Sequence, residues 1–352
     1  MINPDLFEPP VSRRTAIKSA IALAGAATLA QQNSAGAEQG SPGAGSAPGR
    51  AARRYEMKKS INLWAFPYPA KMNLRQCLQL AKDAGFDGIE LNYDLESDLS
   101  PKAGTKEFQE IRKMAESIGI AISGLCSFLF WPYPLSSNDA TKRARALELA
   151  GKMTQAAHDL GVENLLVVPG AVHIPWRDDH EPVRNDICEE RAKDAIRQLL
   201  PTAEKLKVHM NMENIFFNGF LMTPMEMNAF VDSFSSEYVQ VHFDTGNIMQ
   251  YQHPEHWIPI LGKRIRNVHL KEFTKKGTDS SLESFRPLLD GTTNWPAVVE
   301  AFDAVGYRRY LTFEYFHPFL HYPEALIYQT SDSLNRMLGI AVNPMGGGRA
   351  RA

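Results

Sequence analysis

The sequence predicts a closed barrel of eight parallel β-strands that alternate with α-helices. Short apolar runs that suit buried strands recur between residues 58 and 340, and segments with helical periodicity separate them. Several of these segments end at a glycine that suits a helix C-terminus, as at Gly85, Gly119 and Gly161. Eight alternating units of this kind favour a single-domain (β/α)8 TIM barrel.

The predicted strands follow one another at regular intervals. They lie near residues 60–66, 87–92, 120–127, 163–168, 207–213, 238–244, 266–271 and 310–315. Amphipathic segments that predict helices between them include 74–84, 106–118, 144–160, 188–206 and 296–305. A doubly wound open sheet is the alternative architecture. No predicted strand is followed by the Gly-rich phosphate-binding turn that such sheets often carry, so the barrel is favoured.

Residues 1–37 resemble a twin-arginine export signal. The pair Arg13 and Arg14 precedes an apolar stretch at 20–30 that is too short to span a bilayer, and the AGA sequence at 35–37 offers a cleavage site of small residues. A basic tail exposed on the surface is the competing interpretation. We therefore expect export by the twin-arginine route to the periplasm or another extracytoplasmic compartment, with no membrane span after processing.

The segments that flank the predicted barrel have the composition of unstructured chain. Residues 38–57 are rich in Gly, Ala, Ser and Pro and predict a flexible linker. Residues 341–352 predict a disordered tail, which leaves 58–340 for the barrel.

Charge and cysteine content exclude several classes of function. The chain of 352 residues has a formal net charge of −2, which gives no electrostatic reason to expect nucleic acid or a membrane surface as partner. Cys77, Cys126 and Cys188 are odd in number and lack CxxC spacing, so they indicate buried thiols and no disulfide framework. Composition predicts a soluble globular protein, and homo-oligomerisation is compatible with it.

Four candidate metal ligands stand near the ends of successive strands in the second half of the chain. They are Glu213, Asp244, His269 and Glu314. Because the carboxyl ends of barrel strands meet at one rim, we expect these side chains to lie together. Burying several unpaired charges is costly, and a divalent cation removes that cost. Three carboxylates and an imidazole suit Mn²⁺, Co²⁺ or Mg²⁺, and Zn²⁺ is also compatible. The alternative is separate structural roles as salt-bridged carboxylates and a hydrogen-bonded core histidine.

Residues two apart on a strand share a face, which brings further polar side chains to the same interior. Lys271 shares its face with His269 and is expected either to contact a substrate or to form an ion pair with Glu90 or another carboxylate of the rim. Glu90 either orients a metal ligand, contacts a sugar or balances Lys271. His242 lies one layer deeper, where we expect a hydrogen bond that supports Asp244.

The motifs at these strand ends resemble the xylose isomerase-like sugar isomerase/epimerase family over essentially all of residues 58–338. The matching stretches are GFDGIE at 85–90, EN at 213–214, DTGN at 244–247, VHLK at 268–271 and the segment 295–314. In that family Glu, Asp, His and Glu from strands five to eight hold the metal. The resemblance thus implies one divalent ion held by the four residues named above.

The resemblance also implies an activity, which is proton transfer next to a carbonyl of a sugar or keto-sugar through an enediolate. Glu213 and Glu314 would form the acid/base pair, while Asp244 and His269 would be ligands only. The chain departs from the family where many members carry a histidine, because Asn247 stands there, and the nearest cations to an expected arginine are Lys271 and Lys275. The expected substrate contacts are Glu90, Asn247, Lys271, His173, Trp131 and Trp176.

Other functions compete with isomerisation. A lyase acting on keto-sugars or 3-keto-glycosides would use the same metal and bases to expel a leaving group, and export favours it because free sugar phosphates are cytoplasmic metabolites. A non-catalytic sugar-binding protein is a further alternative, which the presence of two candidate bases disfavours. An apurinic-site endonuclease is disfavoured because ELN at 90–92 and SF at 127–128 stand where zinc-binding histidines would lie, and no basic stripe is present.

Overall fold

A computed structural model of the chain describes residues 54–216, 218–275 and 284–340. Within these ranges, eight parallel strands hydrogen-bond side by side until the last strand meets the first. The predicted TIM barrel is therefore confirmed. The predicted export signal, residues 38–53 of the predicted linker and the predicted tail lie outside the described residues.

The barrel strands occur where short apolar runs predict them. In chain order they are β1 (Lys58–Asn62), β2 (Gly88–Tyr93), β3 (Ala121–Ser127), β4 (Asn164–Val167), β5 (His209–Glu213), β6 (Val239–Asp244), β7 (Ile265–Leu270) and β8 (Tyr310–Phe313). The prediction that the first strand continues to residue 66 is wrong. The side chain of Asn62 accepts a hydrogen bond from the backbone N–H of Trp64 at 2.8 Å, which turns the chain into a short 3-10 helix, Leu63–Ala65.

Helices cover the outside of the barrel. They are α1 (Leu74–Asp83), α2 (Thr105–Ile118), α3 (Ala140–Asp159), α4 (Asn185–Leu206), α5 (Pro224–Asp232), α6 (Pro254–Leu261), α7 (Trp295–Ala304) and α8 (Pro323–Leu338). α3 begins four residues earlier than periodicity predicts, because Asp139 caps it by accepting hydrogen bonds from the N–H groups of Thr141 and Lys142. No helix in the described ranges is long and apolar enough to cross a membrane.

Side chains alternate between an apolar layer under the helices and a polar barrel interior. Ile89, Leu91, Val241 and Phe243 are fully buried and face the helices, as the sequence predicts. Buried polar side chains fill the interior, where the carboxylate of Glu90 on β2 reaches β7 on the opposite wall. The three cysteines are buried and free. This polar interior leads upward to the rim formed by the carboxyl ends of the strands.

Candidate metal centre and active site

The four predicted ligands meet at the carboxyl rim of the barrel. Glu213 and Asp244 end β5 and β6, His269 is the fifth residue of β7, and Glu314 directly follows β8. One ligand atom from each residue lies within 4.8 Å of the others, and all four are buried. His269 Nδ1 is 3.8 Å from Glu213 Oε1, 3.9 Å from Asp244 Oδ2 and 3.4 Å from Glu314 Oε2.

Three of these ligand atoms lack a hydrogen bond from any described residue: Asp244 Oδ2, His269 Nδ1 and Glu314 Oε2. Both oxygens lie beside the ammonium of Lys271 as ion pairs, without hydrogen-bond alignment. The ammonium compensates the charge of both oxygens in the metal-free protein, and a divalent cation is a partner that the two oxygens and His269 Nδ1 would share. The residues therefore fit one divalent ion, with an oxygen-rich donor set suited to Mn²⁺, Co²⁺ or Mg²⁺.

Asp244 is aimed at the cluster by its backbone neighbours. Its Oδ1 accepts hydrogen bonds from the N–H groups of Gly246 and Asn247, both at 2.8 Å, so Oδ2 is left to face the other ligands. The amide side chain of Asn214 bonds both the N–H and the carbonyl of Asp244 at 2.8 Å. These contacts hold the carboxylate in one orientation before any ligand binds.

His269 is oriented from below by Glu90. Its Nε2 lies 2.5 Å from Glu90 Oε2, and that carboxylate also accepts hydrogen bonds from the amides of Asn62 and Asn267. Burial alone would lower the pKa of His269, but the negative charges of Glu90 and Glu314 raise it well above its usual value. A Cβ on Gly124 would lie 2.7 Å from Glu90 Oε1, so the carboxylate occupies space that only a glycine leaves open.

This arrangement predicts that Glu90→Ala weakens metal binding. Removing a carboxylate that supports a metal-bound histidine typically costs about 10–100-fold in affinity, and we expect a loss of that size for Mn²⁺ in a calorimetric titration. Glu90→Gln, which keeps an oxygen facing the ring, should lose less. An unchanged affinity in Glu90→Ala would contradict the positioning role.

The two candidate acid/base carboxyls differ in proton affinity. Burial raises the pKa of Glu213 to about 7. A hydrogen bond with the nearby His269 acts in the opposite direction and offsets part of this rise. Burial would also raise the pKa of Glu314, but the charges of Lys271 and His269 outweigh that effect and lower it to about 2. Without a bound ion, one carboxyl thus holds a proton near neutral pH and the other is ionised, and this difference in proton affinity suits an acid/base pair.

The raised pKa of Glu213 predicts a pH-dependent metal affinity. The ion and the proton compete for this carboxylate, so the affinity should be weaker below the pKa of about 7 and should increase as the pH rises through it. Calorimetric Mn²⁺ titrations between pH 5.5 and 8 in buffers of different ionisation enthalpy would show the affinity and the proton release. An affinity independent of pH over that range would refute the prediction.

Lys271 contacts the cluster directly. Its ammonium lies 3.0 Å from Asp244 Oδ2 and 3.1 Å from Asn247 Oδ1, and it also pairs with Glu314 Oε2. The expected ion pair is therefore formed with two rim carboxylates, Asp244 and Glu314, and not with Glu90, which contacts His269 one layer below. A Cβ on Gly246 would lie 2.7 Å from the Cβ of Lys271, so the loop after β6 can pack against the lysine only with a glycine there.

The expected hydrogen bond from His242 to Asp244 is absent. Neither ring nitrogen of His242 has a hydrogen-bond partner among the described residues, and the ring packs edge-on against His269 with centroids 4.1 Å apart. Burial lowers the pKa of His242 well below its usual value, so the ring is neutral. Asn214 supports Asp244 in its place, and only the folded chain reveals that pairing.

The unpaired ring predicts that His242→Leu stabilises the protein. Replacing a buried polar group that lacks partners by an apolar one of similar size should raise the free energy of unfolding by about 1–2 kcal/mol, measured by urea denaturation of the metal-free protein. The matched control is His209→Leu, since His209 Nδ1 lies 2.8 Å from the carbonyl of Glu237 and its ring stacks on Tyr238. His209→Leu should lower the free energy of unfolding. If His242→Leu lowered the free energy of unfolding by a similar amount, the prediction would be wrong.

A cavity of about 320 Å³ opens above the ligands. Glu213, Glu314, Asn247 and Lys271 contribute to its polar part, and the predicted substrate contacts Trp131 and Trp176 line its walls. Further residues from the strand ends and from the loops of this rim also line the cavity. They are Trp64, Ser127, Phe128, Leu166, Val168, Phe216, Phe285, Phe316 and His317.

Two predicted substrate contacts do not reach this cavity. Glu90 is fully buried beneath His269. His173 is exposed on the loop after β4, where its carbonyl accepts a hydrogen bond from Asn218 at 2.9 Å and its ring neighbours His180. Spacing along the chain placed both near the rim, but the path of the backbone directs them elsewhere.

Comparison with known proteins identifies the family to which this chain belongs. Residues 78–336 match the family model described as xylose isomerase-like TIM barrel. L-ribulose-5-phosphate 3-epimerase UlaE of Escherichia coli O1:K1 / APEC is 23% identical over 233 residues, which are 65% of this chain and 78% of the relative.

Solved structures share the fold. A solved L-ribulose 3-epimerase superposes with a TM-score of 0.65 at 20% identity, over 80% of this chain and 95% of the other. D-psicose 3-epimerase with D-tagatose, from Clostridium cellulolyticum H10, superposes with a TM-score of 0.67 at 17% identity, over 81% and 99%.

Proposed function

Because the chain belongs to the xylose isomerase-like TIM barrel family, we propose that it is a divalent-metal-dependent sugar isomerase or epimerase. The observation that carries this proposal is the convergence of Glu213, Asp244, His269 and Glu314, whose ligand atoms lie within 4.8 Å of one another at the floor of a cavity. The sugar epimerases among its relatives support the same class of reaction.

The proposed chemistry is proton transfer at the carbon next to a carbonyl. A bound divalent ion supplies a Lewis acid that polarises the carbonyl and stabilises the negative charge that develops on its oxygen. Glu314, which Lys271 and His269 keep ionised, removes the proton, and Glu213, after taking a proton from water, delivers it to the carbon; Glu314 then returns its proton to water. Delivery to the opposite face inverts the carbon, and delivery to the neighbouring carbon isomerises the sugar. In the reverse direction the two carboxyls exchange roles.

Other side chains of the cavity bind and orient the substrate in this proposal. The ammonium of Lys271 and the amide of Asn247 border the cavity and have hydrogens to donate to sugar oxygens. Trp131 and Trp176 provide apolar faces for a sugar ring. Glu90 acts through His269 and is a positioning residue.

A lyase is the second candidate for the same site. Removal of the same proton would expel a group attached one carbon further away, and the cavity walls beyond the ligands leave space for such a group. Export by the twin-arginine route, on the basis of residues 1–37, remains part of our proposal for this protein.

Solvent deuterium exchange tests the proposed function. The metal-loaded full chain is incubated in heavy water with D-fructose, L-ribulose and a methyl 3-keto-glucoside, and NMR follows each carbon. Deuterium next to the carbonyl with the skeleton intact identifies an isomerase or epimerase, and deuterium with loss of methanol or water identifies the lyase. The chelated protein should be inactive and should recover when Mn²⁺ returns. Sugar binding without exchange in any substrate would overturn the proposal in favour of a binding protein.

A further inference from the structure

A continuous series of aromatic side chains in contact with one another lines the cavity. Neighbouring ring centroids lie between 5.0 Å and 6.4 Å apart along the whole series. The two end members both contact the ammonium of Lys271, at 5.4 Å and 5.2 Å, so the series closes on itself through that group. We call this series the aromatic collar; in contact order it consists of Phe316, Trp64, Phe128, Trp131, Trp176 and Phe216.

The collar stands between the metal cluster and solvent. Its members come from the loops after β1, β3, β4, β5 and β8, all on the carboxyl rim. Phe128 is 46% exposed and Trp176 is 40% exposed, although both line the cavity. Large apolar rings that remain exposed around a concave site are typical of ligand-binding surfaces. A substrate whose carbonyl reaches the floor therefore has its remaining atoms between these rings.

The charge of the cavity disfavours a phosphorylated substrate. Among its described lining residues, Lys271 is the single lysine or arginine, and its ammonium already pairs with Asp244 and Glu314. A phosphate group held in the collar would lose its hydration and meet the negative faces of aromatic rings, and the described lining residues offer it only the already paired ammonium of Lys271 and the ring of His317. The C–H face of a sugar or an aromatic ring packs on such faces without that cost.

We propose that the aromatic collar selects an uncharged substrate that carries a second ring, either sugar or aromatic, attached to the keto-sugar that reaches the metal cluster. The keto-sugar part of this inference depends on the proposed function. The preference for a second ring depends only on the collar, so binding measurements test it independently of catalysis.

Two matched pairs of probes test the collar by calorimetry and tryptophan fluorescence with the metal-loaded full chain. Phenyl 3-keto-β-D-glucoside and its methyl counterpart differ only in the second ring, and D-fructose 6-phosphate differs from D-fructose only in the phosphate. We expect the phenyl compound to bind about tenfold more tightly than the methyl compound, and fructose 6-phosphate to bind more weakly than fructose. Equal affinity for the first pair, or tighter binding of the phosphate, would overturn the proposal.

Substitution of Trp176 tests whether the collar causes the preference for the phenyl compound. Trp176→Ala should reduce the phenyl preference to about threefold or less, and Trp176→Phe should retain most of it. Tyr328→Ala is the control, because that ring is 48% exposed on α8 and does not line the cavity. If Trp176→Ala kept the full preference for the phenyl compound and an unchanged circular dichroism spectrum, the collar would not be the part of the protein that recognises the second ring.

The two proposals fail in different ways. Tight binding of the phenyl compound without deuterium exchange in any substrate would support the collar and refute the isomerase. Exchange in fructose without any phenyl preference would support the isomerase and refute the collar.

Discussion

Glu314→Gln and Glu213→Gln should each lower turnover by at least about a thousandfold. General acid or base catalysis contributes about 10²–10⁴-fold on its own, and each substitution also removes a charged ligand atom from a cluster whose members lie within 4.8 Å of one another. The amide has nearly the shape of the carboxyl, so the fold should persist. Deuterium exchange and steady-state kinetics measure the loss, and calorimetry with Mn²⁺ separates a weaker metal site from a missing base.

The matched control for these variants is Glu300→Gln, at an exposed position of α7. It makes the same chemical change away from the cluster and should leave turnover and metal affinity unchanged. Activity within threefold of the wild type in Glu213→Gln or Glu314→Gln would show that the site assignment is wrong. A lost activity with full metal affinity would assign the residue to proton transfer alone.

Lys271→Met should destabilise the metal-free protein strongly and the metal-loaded protein much less. The ammonium pairs with Asp244 and Glu314 in full burial, and removing one partner of a buried ion pair costs about 3–5 kcal/mol because charge is left uncompensated. Bound Mn²⁺ would compensate the same carboxylates. Urea denaturation with and without Mn²⁺ measures the two free energies of unfolding, and their difference should be larger in the variant than in the wild type.

Lys193→Met provides the comparison, because Lys193 pairs with Glu189 one helical turn away on α4 at a partly exposed position. An exposed pair of this kind contributes about 0–1 kcal/mol, and Mn²⁺ should not alter the effect of this substitution. If Lys271→Met lost no more stability than Lys193→Met in the metal-free state, the lysine would not be the counter-charge of the cluster.

Much of the cluster was predictable because its signal is local. Each strand alternates an apolar residue under the helices with a polar residue toward the interior, and Glu213, Asp244, His269 and Glu314 all stand near strand ends. The parallel arrangement of a barrel then brings them together without further information. That Lys271 is the single lysine or arginine of the described cavity walls could not be predicted in the same way, because the loops that complete the walls have no periodicity.

The pairing of charged groups was predicted less well. Lys271 was expected to pair with Glu90 or with another carboxylate of the rim, and His242 was expected to support Asp244. In the folded chain Glu90 lies against His269 across the barrel, Lys271 reaches past it to Asp244 and Glu314, and Asn214 holds Asp244. Two residues on the same face of a strand lie at different heights along the barrel axis. This height decides which side chains of the other strands each of them can contact.

The sequence by itself determined the order of strands and helices, the residue types at the strand ends and the kind of ion that those residues suit, since these depend on local alternation and on the chemistry of single side chains. Tertiary structure alone decided the ion pairs beneath and beside the metal cluster and the closure of the aromatic collar. Trp64 and Phe316 lie at opposite ends of the barrel chain, and their contact at 5.1 Å exists because β8 pairs with β1.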